Sequence, residues 1–379
     1  MSIRTVIILK ISPNSKALMP SLIDHLAALT NPRDRQSLDL ALTTALMDLI
    51  QPKSVALYSV VNDAINLHWF PLIVMMSGGV TRVGDPLRAD FRLLPPLQAF
   101  EHRQKCLESR LLVEREVACD EGGWTSCLPL FAPTWADEIG IVEIYSKHRL
   151  SESSQDIVAR LLYVYRNMSS IFAVSEQDAL TGLLNRKSFD DTFYKLLADS
   201  TSVSVDESMS GESDEKDVRS VLQLRRKEAG ERFWLAMVDI DHFKRVNDGF
   251  GHQIGDEVLI LVARSLKKSF RGSDRIYRFG GEEFVIILRA PDDETVVQIA
   301  ERFRKQMEAS KFPQVGSLTA SMGVAEVLPG DSPSTVCEKA DQALYYAKNN
   351  GRNQVCSHAD LFNLGLLQKE VKVSDIDLF

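Results

Sequence analysis

Two strand-length apolar runs, RIYRF and EFVIIL, are joined across Gly280-Gly281. Such a junction reads as a tight hairpin whose turn needs φ > 0, so the two runs are antiparallel neighbours. The flanking elements follow a regular order. A strand (FWLAMVDI) leads into a helix rich in VLILVARSLKKSF, and after the hairpin come a helix around ETVVQIAERFRKQME and a strand, LTASMGVAEV. That order is β-α-β-β-α-β, the ferredoxin-like arrangement, which requires an antiparallel sheet with both helices on one face. A last helix, STVCEKADQALYYAKNN, completes an α+β domain.

The chain has 379 residues, long for one domain and enough for two. Residues 35–50 are apolar at helical spacing and stop at Gln51-Pro52. Strand-like runs SVALYSVV and INLHWFPLIVMM follow, with further strands expected at LLVEREVAC, TSCLPLFA and GIVEIYS. This succession resembles an α+β GAF-type sensor domain, with a PAS-like domain as the alternative. No ligand-specific pattern appears in it, so a plain dimerisation module also fits. From Ser151, the expected N-cap, a long helix begins. Its Ile157, Leu161, Val164, Met168 and Ile171 fit two readings: a stripe packed on the preceding domain, or a short coiled-coil seam that carries a signal. Residues 199–229 are Ser-rich and charged, a composition expected of a disordered insertion. The expected division is a sensor-like domain over 1–150, a linker helix over 151–177, a catalytic domain over 178–357 and a tail over 358–379, which can add an amphipathic helix.

Composition excludes several classes. With 52 acidic against 44 basic residues, the net charge of −8 gives no overall field for nucleic acid or an anionic membrane. Cys106, Cys119, Cys127, Cys337 and Cys356 form no CxxC pair, so neither a disulfide framework nor a zinc site is expected. A reducing, cytoplasmic setting fits. The apolar run near the N-terminus is too short to span a bilayer and lacks a secretory cleavage pattern.

Asp239 and Asp241 close the first catalytic-half strand, and Glu282 and Glu283 sit at the hairpin tip. Strands lie about 4.8 Å apart, so these acids can converge on hard cations. Taken alone they read more readily as a solvated acidic turn. Their surroundings alter that reading. GGEEF (Gly280 to Phe284) resembles the GGDEF motif of diguanylate cyclases, and three more blocks agree in order and spacing. These are DALTGLLNR (Asp178 to Arg186), DIDHFKRVNDGFGHQIGD (Asp239 to Asp256) and AKNNGRN (Ala347 to Asn353).

The resemblance implies a magnesium-dependent enzyme, with manganese as a substitute, that condenses two GTP into cyclic di-GMP. It places Asp239, the Ile240 carbonyl, Glu282 and Glu283 at the metals, with Glu282 as proton acceptor for the attacking 3′-hydroxyl. Asn247 and Asp256 would read the guanine of GTP, with His252 also at the substrate and Gly280 and Gly281 lining the site. Lys244, Lys348 and Arg352 would neutralise the triphosphate. Within the entry block, Thr181 can cap the next helix, while Leu180 and Leu183 can be core. Arg271-Gly272-Ser273-Asp274 has the RxxD form of an inhibitory product site, with Arg302 as a second contact; the plainer reading is a surface salt bridge. One site holds half the reaction, so a homodimer through the linker helix and N-terminal domain is implied. A degenerate nucleotide sensor and a different nucleotidyl cyclase or polymerase-palm relative are the rivals. The first predicts damage in the acidic or guanine-reading positions, and none is found.

Overall fold

The computed structural model describes residues 21–62, 66–79, 81–86, 89, 93–117, 122–131, 139–198 and 232–367. The expected insertion over 199–229 lies outside them.

The N-terminal part runs α1 (Leu22–Leu29), α2 (Arg35–Ile50), β1 (Ser54–Asn62), β2 (Leu67–Met76), β3 (Thr81–Val83), α3 (Glu101–Ser109), β4 (Val113–Val117), β5 (Gly123–Phe131), β6 (Ile139–Ser146) and α4 (Glu152–Glu176). Its six strands form one antiparallel sheet in the order β3-β2-β1-β6-β5-β4. Alternation along the strands sorts the two faces. Val55 and Leu57 of β1 join Val142 and Ile144 of β6 beneath α2 and α4, whereas Ala56, Tyr58 and Ile141 pack with Cys106 of α3 and Cys127 of β5. Asp34 caps α2, accepting from the Ser37 amide at 2.8 Å, and α2 ends at Gln51 in the left-handed region just before Pro52.

Ser151 caps α4 as anticipated, accepting from the Ser154 amide at 3.2 Å. The stripe that α4 buries takes in Leu161 of the expected set and is centred to one side of it, with Ile157, Val164 and Met168 at its margin. Val158, Leu161, Leu162 and Tyr165 are buried against α2 and the sheet, whereas Ile157, Val164 and Met168 are only partly covered. Ile171 is 59% exposed. The first half of the helix thus packs on the N-terminal layer, and Ile171 and Val174 lie open near its C-terminal end. No helix among the described residues is long and apolar enough to cross a membrane.

The C-terminal part continues with β7 (Leu184–Asn185), α5 (Arg186–Ala198), β8 (Arg232–Ile240), α6 (Phe243–Phe250), α7 (His252–Ser269), β9 (Arg275–Gly280), β10 (Glu283–Ala290), α8 (Asp293–Ala309), β11 (Lys311–Phe312), β12 (Gly316–Ser317), β13 (Ala320–Glu326), α9 (Pro333–Asn349), β14 (Val355–Ser357) and α10 (His358–Asn363). The main sheet has the order β14-β13-β8-β10-β9-β7. Its four central strands are antiparallel and follow the ferredoxin-like order, with α7 and α8 together on one face. The expected antiparallel sheet is thus present, and two short strands extend its edges in parallel, β14 on β13 and β7 on β9. These short strands come from segments outside the β-α-β-β-α-β core, so nothing in the hairpin constrains their direction. On the opposite face, Leu235, Val285 and Ile287 meet Phe189 of α5 and Val336 and Leu344 of α9.

Candidate active site

β8 runs through the middle of the sheet and delivers its acids at one end. Asp239 stands opposite Glu283 of β10 on one side and Ser321 of β13 on the other. The turn between β9 and β10 needs a left-handed residue, and Gly281 supplies it at φ 44°. Glu282 follows at the tip. Phe284, the last residue of the motif, is fully buried and anchors the hairpin; truncating it to Ala would cost roughly 3–5 kcal/mol.

Asp239, Glu282 and Glu283 form one electrostatic group with Lys348 and Arg352. The Lys348 ammonium lies 2.7 Å from Asp239. Burial raises the Asp239 carboxyl above its ordinary range despite Lys348, and Asp241 pushes the same way. Burial also raises Glu282, helped by Asp239 and Glu283 and opposed by Lys348. Under-compensated carboxylates held together at a strand end, with the Ile240 carbonyl in the same segment, are a hard oxygen donor set that suits magnesium. The residues present fit the implied metal.

Asp241 corrects the idea that all four acids converge. It is buried, and its carboxylate accepts from Thr319 Oγ1 and Ser321 Oγ at 2.7 Å each and from the Asn353 amide at 3.0 Å. Three donors tie it into the sheet end and the 351–353 turn, so it braces Arg352 rather than facing a cation. Arg352 follows Gly351 in a left-handed turn at φ 60°, and its amide donates to the Ala347 carbonyl at 3.0 Å.

Asn247 at the end of α6 and Asp256 in the first turns of α7 flank the sharp Gly251 junction, with His252 exposed at the start of α7. A Cβ on Gly255 would come within 2.0 Å of Asn247 Oδ1, so glycine at this position lets that amide lie against α7. Lys244 is exposed on α6.

The entry block is organised around a residue that the sequence reading missed. Arg278 of β9 pairs with Asp178 at 3.0 Å and donates through Nη2 to the Gly281 carbonyl at 2.9 Å. It therefore ties the segment just after α4 to the β9–β10 hairpin. Thr181 does not cap the next helix; it donates to Asp178 at 2.7 Å, while Asn185 Oδ1 accepts from the Ser188 amide at 3.1 Å and takes the capping role. No sequence pattern links Asp178 to an arginine 100 positions away.

In the RxxD segment, Asp274 accepts from the backbone amide of Arg271 at 2.8 Å, and burial pushes its carboxyl up to about 6. The Arg271 and Arg302 side chains are exposed. The Gly272 amide donates to the Asn62 carbonyl at 2.6 Å, placing the end of β1 beside this turn.

The comparisons agree with this geometry. Residues 215–354 match the family model described as "Diguanylate cyclase, GGDEF domain". Diguanylate cyclase DgcP of Pseudomonas aeruginosa is 37% identical over 208 residues, covering 54% of this chain and 29% of that protein. Diguanylate cyclase VdcA of Vibrio cholerae is 35% identical over 184 residues, covering 47% of this chain and 45% of that protein. Response regulator PleD of Caulobacter vibrioides is 34% identical over 235 residues, covering 59% and 46% respectively. The chain thus spans less than half the length of each of these relatives. Residues 215–354 of this chain thus match a GGDEF domain, the part that it shares with these diguanylate cyclases.

Proposed function

We propose that the protein is a magnesium-dependent diguanylate cyclase, its activity governed by a GAF-like N-terminal domain through α4. The observation that carries this reading is the pairing of Asp239 with Glu283 across neighbouring strands, with Glu282 at the turn and Lys348 against Asp239. Asp239, the Ile240 carbonyl, Glu282 and Glu283 would hold magnesium, which when bound offsets the charge of the triphosphate and of the bond-breaking state. Asn247 and Asp256 have the acceptor and donor groups to read a guanine edge, with His252 beside them. Lys244, Lys348 and Arg352 orient the triphosphate by charge. Glu282, whose proton affinity is raised by burial and its acidic neighbours, suits the role of accepting the 3′-hydroxyl proton.

The 3′-oxygen of one GTP attacks the α-phosphorus of the other and pyrophosphate leaves; the reciprocal attack closes the ring. Catalysis is then mostly positioning. Because each domain presents one half of the reaction, two copies meet face to face, and the open Ile171 and Val174 side of α4 suits their association. Cyclic di-GMP would return to Arg271, Asp274 and Arg302 and inhibit. The assembly works in the cytoplasm, without nucleic acid or membrane partners.

The test is incubation of the purified chain with GTP and magnesium, followed by product mass. Cyclic di-GMP and pyrophosphate are expected; bound but unconverted GTP refutes the proposal. Arg271→Ala should keep synthesis and lose product inhibition, and unaltered inhibition counts against the RxxD role.

A further inference from the structure

The N-terminal domain holds a second set of ligating side chains, remote in kind from the carboxylate site. His102 of α3, Cys127 of β5 and Glu143 of β6 bring one ligand atom each to within 4.8 Å of one another. Glu143 Oε2 lies 3.2 Å from His102 Nε2 and 3.6 Å from Cys127 Sγ. In a tetrahedral zinc site, bond lengths near 2.0 Å to nitrogen or oxygen and 2.3 Å to sulfur put nitrogen and oxygen about 3.3 Å apart and sulfur and oxygen about 3.5 Å apart. Two edges of the tetrahedron are therefore already in place.

A fourth donor stands outside that 4.8 Å group and would have to close on the ion. Cys106 is four residues after His102, on the same face of α3. It is fully buried and in electrostatic reach of both Glu143 and Cys127. The carboxylate is oriented by Arg103, whose Nε donates to the same Oε2 at 2.7 Å and whose Nη2 donates to Oε1 at 2.8 Å. The guanidinium is itself fixed between the Tyr58 and Phe100 rings, 3.9 Å from each centroid. His102 has no other polar anchor, because its Nδ1 is buried without a hydrogen-bond partner.

We propose that His102, Cys106, Cys127 and Glu143 form a buried site for a zinc-class divalent cation, with Arg103 positioning the carboxylate. Charge supports it. Without the ion, Arg103 and Glu143 cancel and the thiols are neutral. With it, the ion's two positive charges replace the two thiol protons, which leave to solvent, and the buried group is again neutral. Imidazole, thiolate and one carboxylate select zinc over magnesium.

The test titrates chelator-stripped full-length protein with Co2+ in excess Mg2+, which keeps the carboxylate site of the GGDEF domain apart because oxygen ligands give no thiolate band. A thiolate-to-cobalt absorption that saturates at one equivalent per chain and is abolished by Zn2+ is the expected result. Cys127→Ser should lose it, His102→Gln (a less buried position) should weaken Co2+ binding at least about tenfold, and Cys337→Ser should change nothing. Circular dichroism checks that each variant is folded. No thiolate band in the wild-type protein, or an undiminished one in folded Cys127→Ser or His102→Gln, overturns the site.

Discussion

Both sheets bury a carboxylate near their centres, and they treat it oppositely. In the N-terminal sheet, Glu143 is gripped by both nitrogens of Arg103, with His102 alongside. Burial alone would raise its proton affinity, but Arg103 and then His102 hold the carboxyl down at about 2. In the C-terminal sheet, Asp239 has one ammonium, Lys348, against further acids, and burial wins: its carboxyl is raised. A fully paired buried charge supports the folded state. An under-paired one strains it, a strain that fits the proposed function, in which a cation and a phosphate chain would offset it. The two sites teach that, in the ion-free protein, compensation more than burial decides whether a buried carboxylate supports the fold or strains it.

The contrast has opposite signs in stability, and the largest expected effect lies on the structural side. Arg103→Met leaves Glu143 buried without its partner and should cost roughly 3–5 kcal/mol, read by denaturant unfolding. Since Glu143 is depressed in the folded protein, the stability it contributes is present above its unfolded value near 4.5 and is lost as pH falls toward about 2. Asp239 runs the other way. Its raised carboxyl costs nothing below its unfolded value near 3.8, and destabilises above the folded value. Asp239→Asn should therefore cut cyclic di-GMP synthesis on the order of 10²–10³-fold while leaving the melting temperature unchanged or higher. A variant that lost activity by melting would erase the distinction between the two carboxylates.

The chain order made much of this legible. Period-two runs, Gly280-Gly281 and the Ser151 cap carry local information, so strands, hairpin and linker helix could be read from neighbouring residues. The acids at 239, 282 and 283 were readable because strand ends and a hairpin tip are defined locally. What escaped is long-range. Asp241 looks like Asp239 in sequence, and only the Thr319, Ser321 and Asn353 donors divert it. The α4 stripe was legible only in part, because helical spacing permits several overlapping faces, and α2 decides which one is buried deepest. The His102, Cys127 and Glu143 cluster has no spacing signature, since three separate elements supply it.

Arg278 gives the smallest effect and the finest test of the contrast, because it joins a structural pairing to the working site. One guanidinium holds Asp178, whose carboxyl lies below its ordinary range despite partial burial through donors from Thr181 and Arg278. The same group holds the Gly281 carbonyl. If it only contributed an ion pair, Arg278→Met would lower stability by about 1 kcal/mol and leave turnover alone. As a positioning residue, its loss lets the Gly281 turn shift relative to β8, and Glu282 moves with the turn. Expected is a kcat about tenfold lower, near 1.4 kcal/mol, with KM for GTP little changed and more magnesium needed for half-maximal rate. Arg278→Lys should restore part of the rate, because an ammonium reaches one of the two partners but cannot fork between them. Normal kcat and magnesium demand in a destabilised Arg278→Met would return this arginine to the structural side of the comparison.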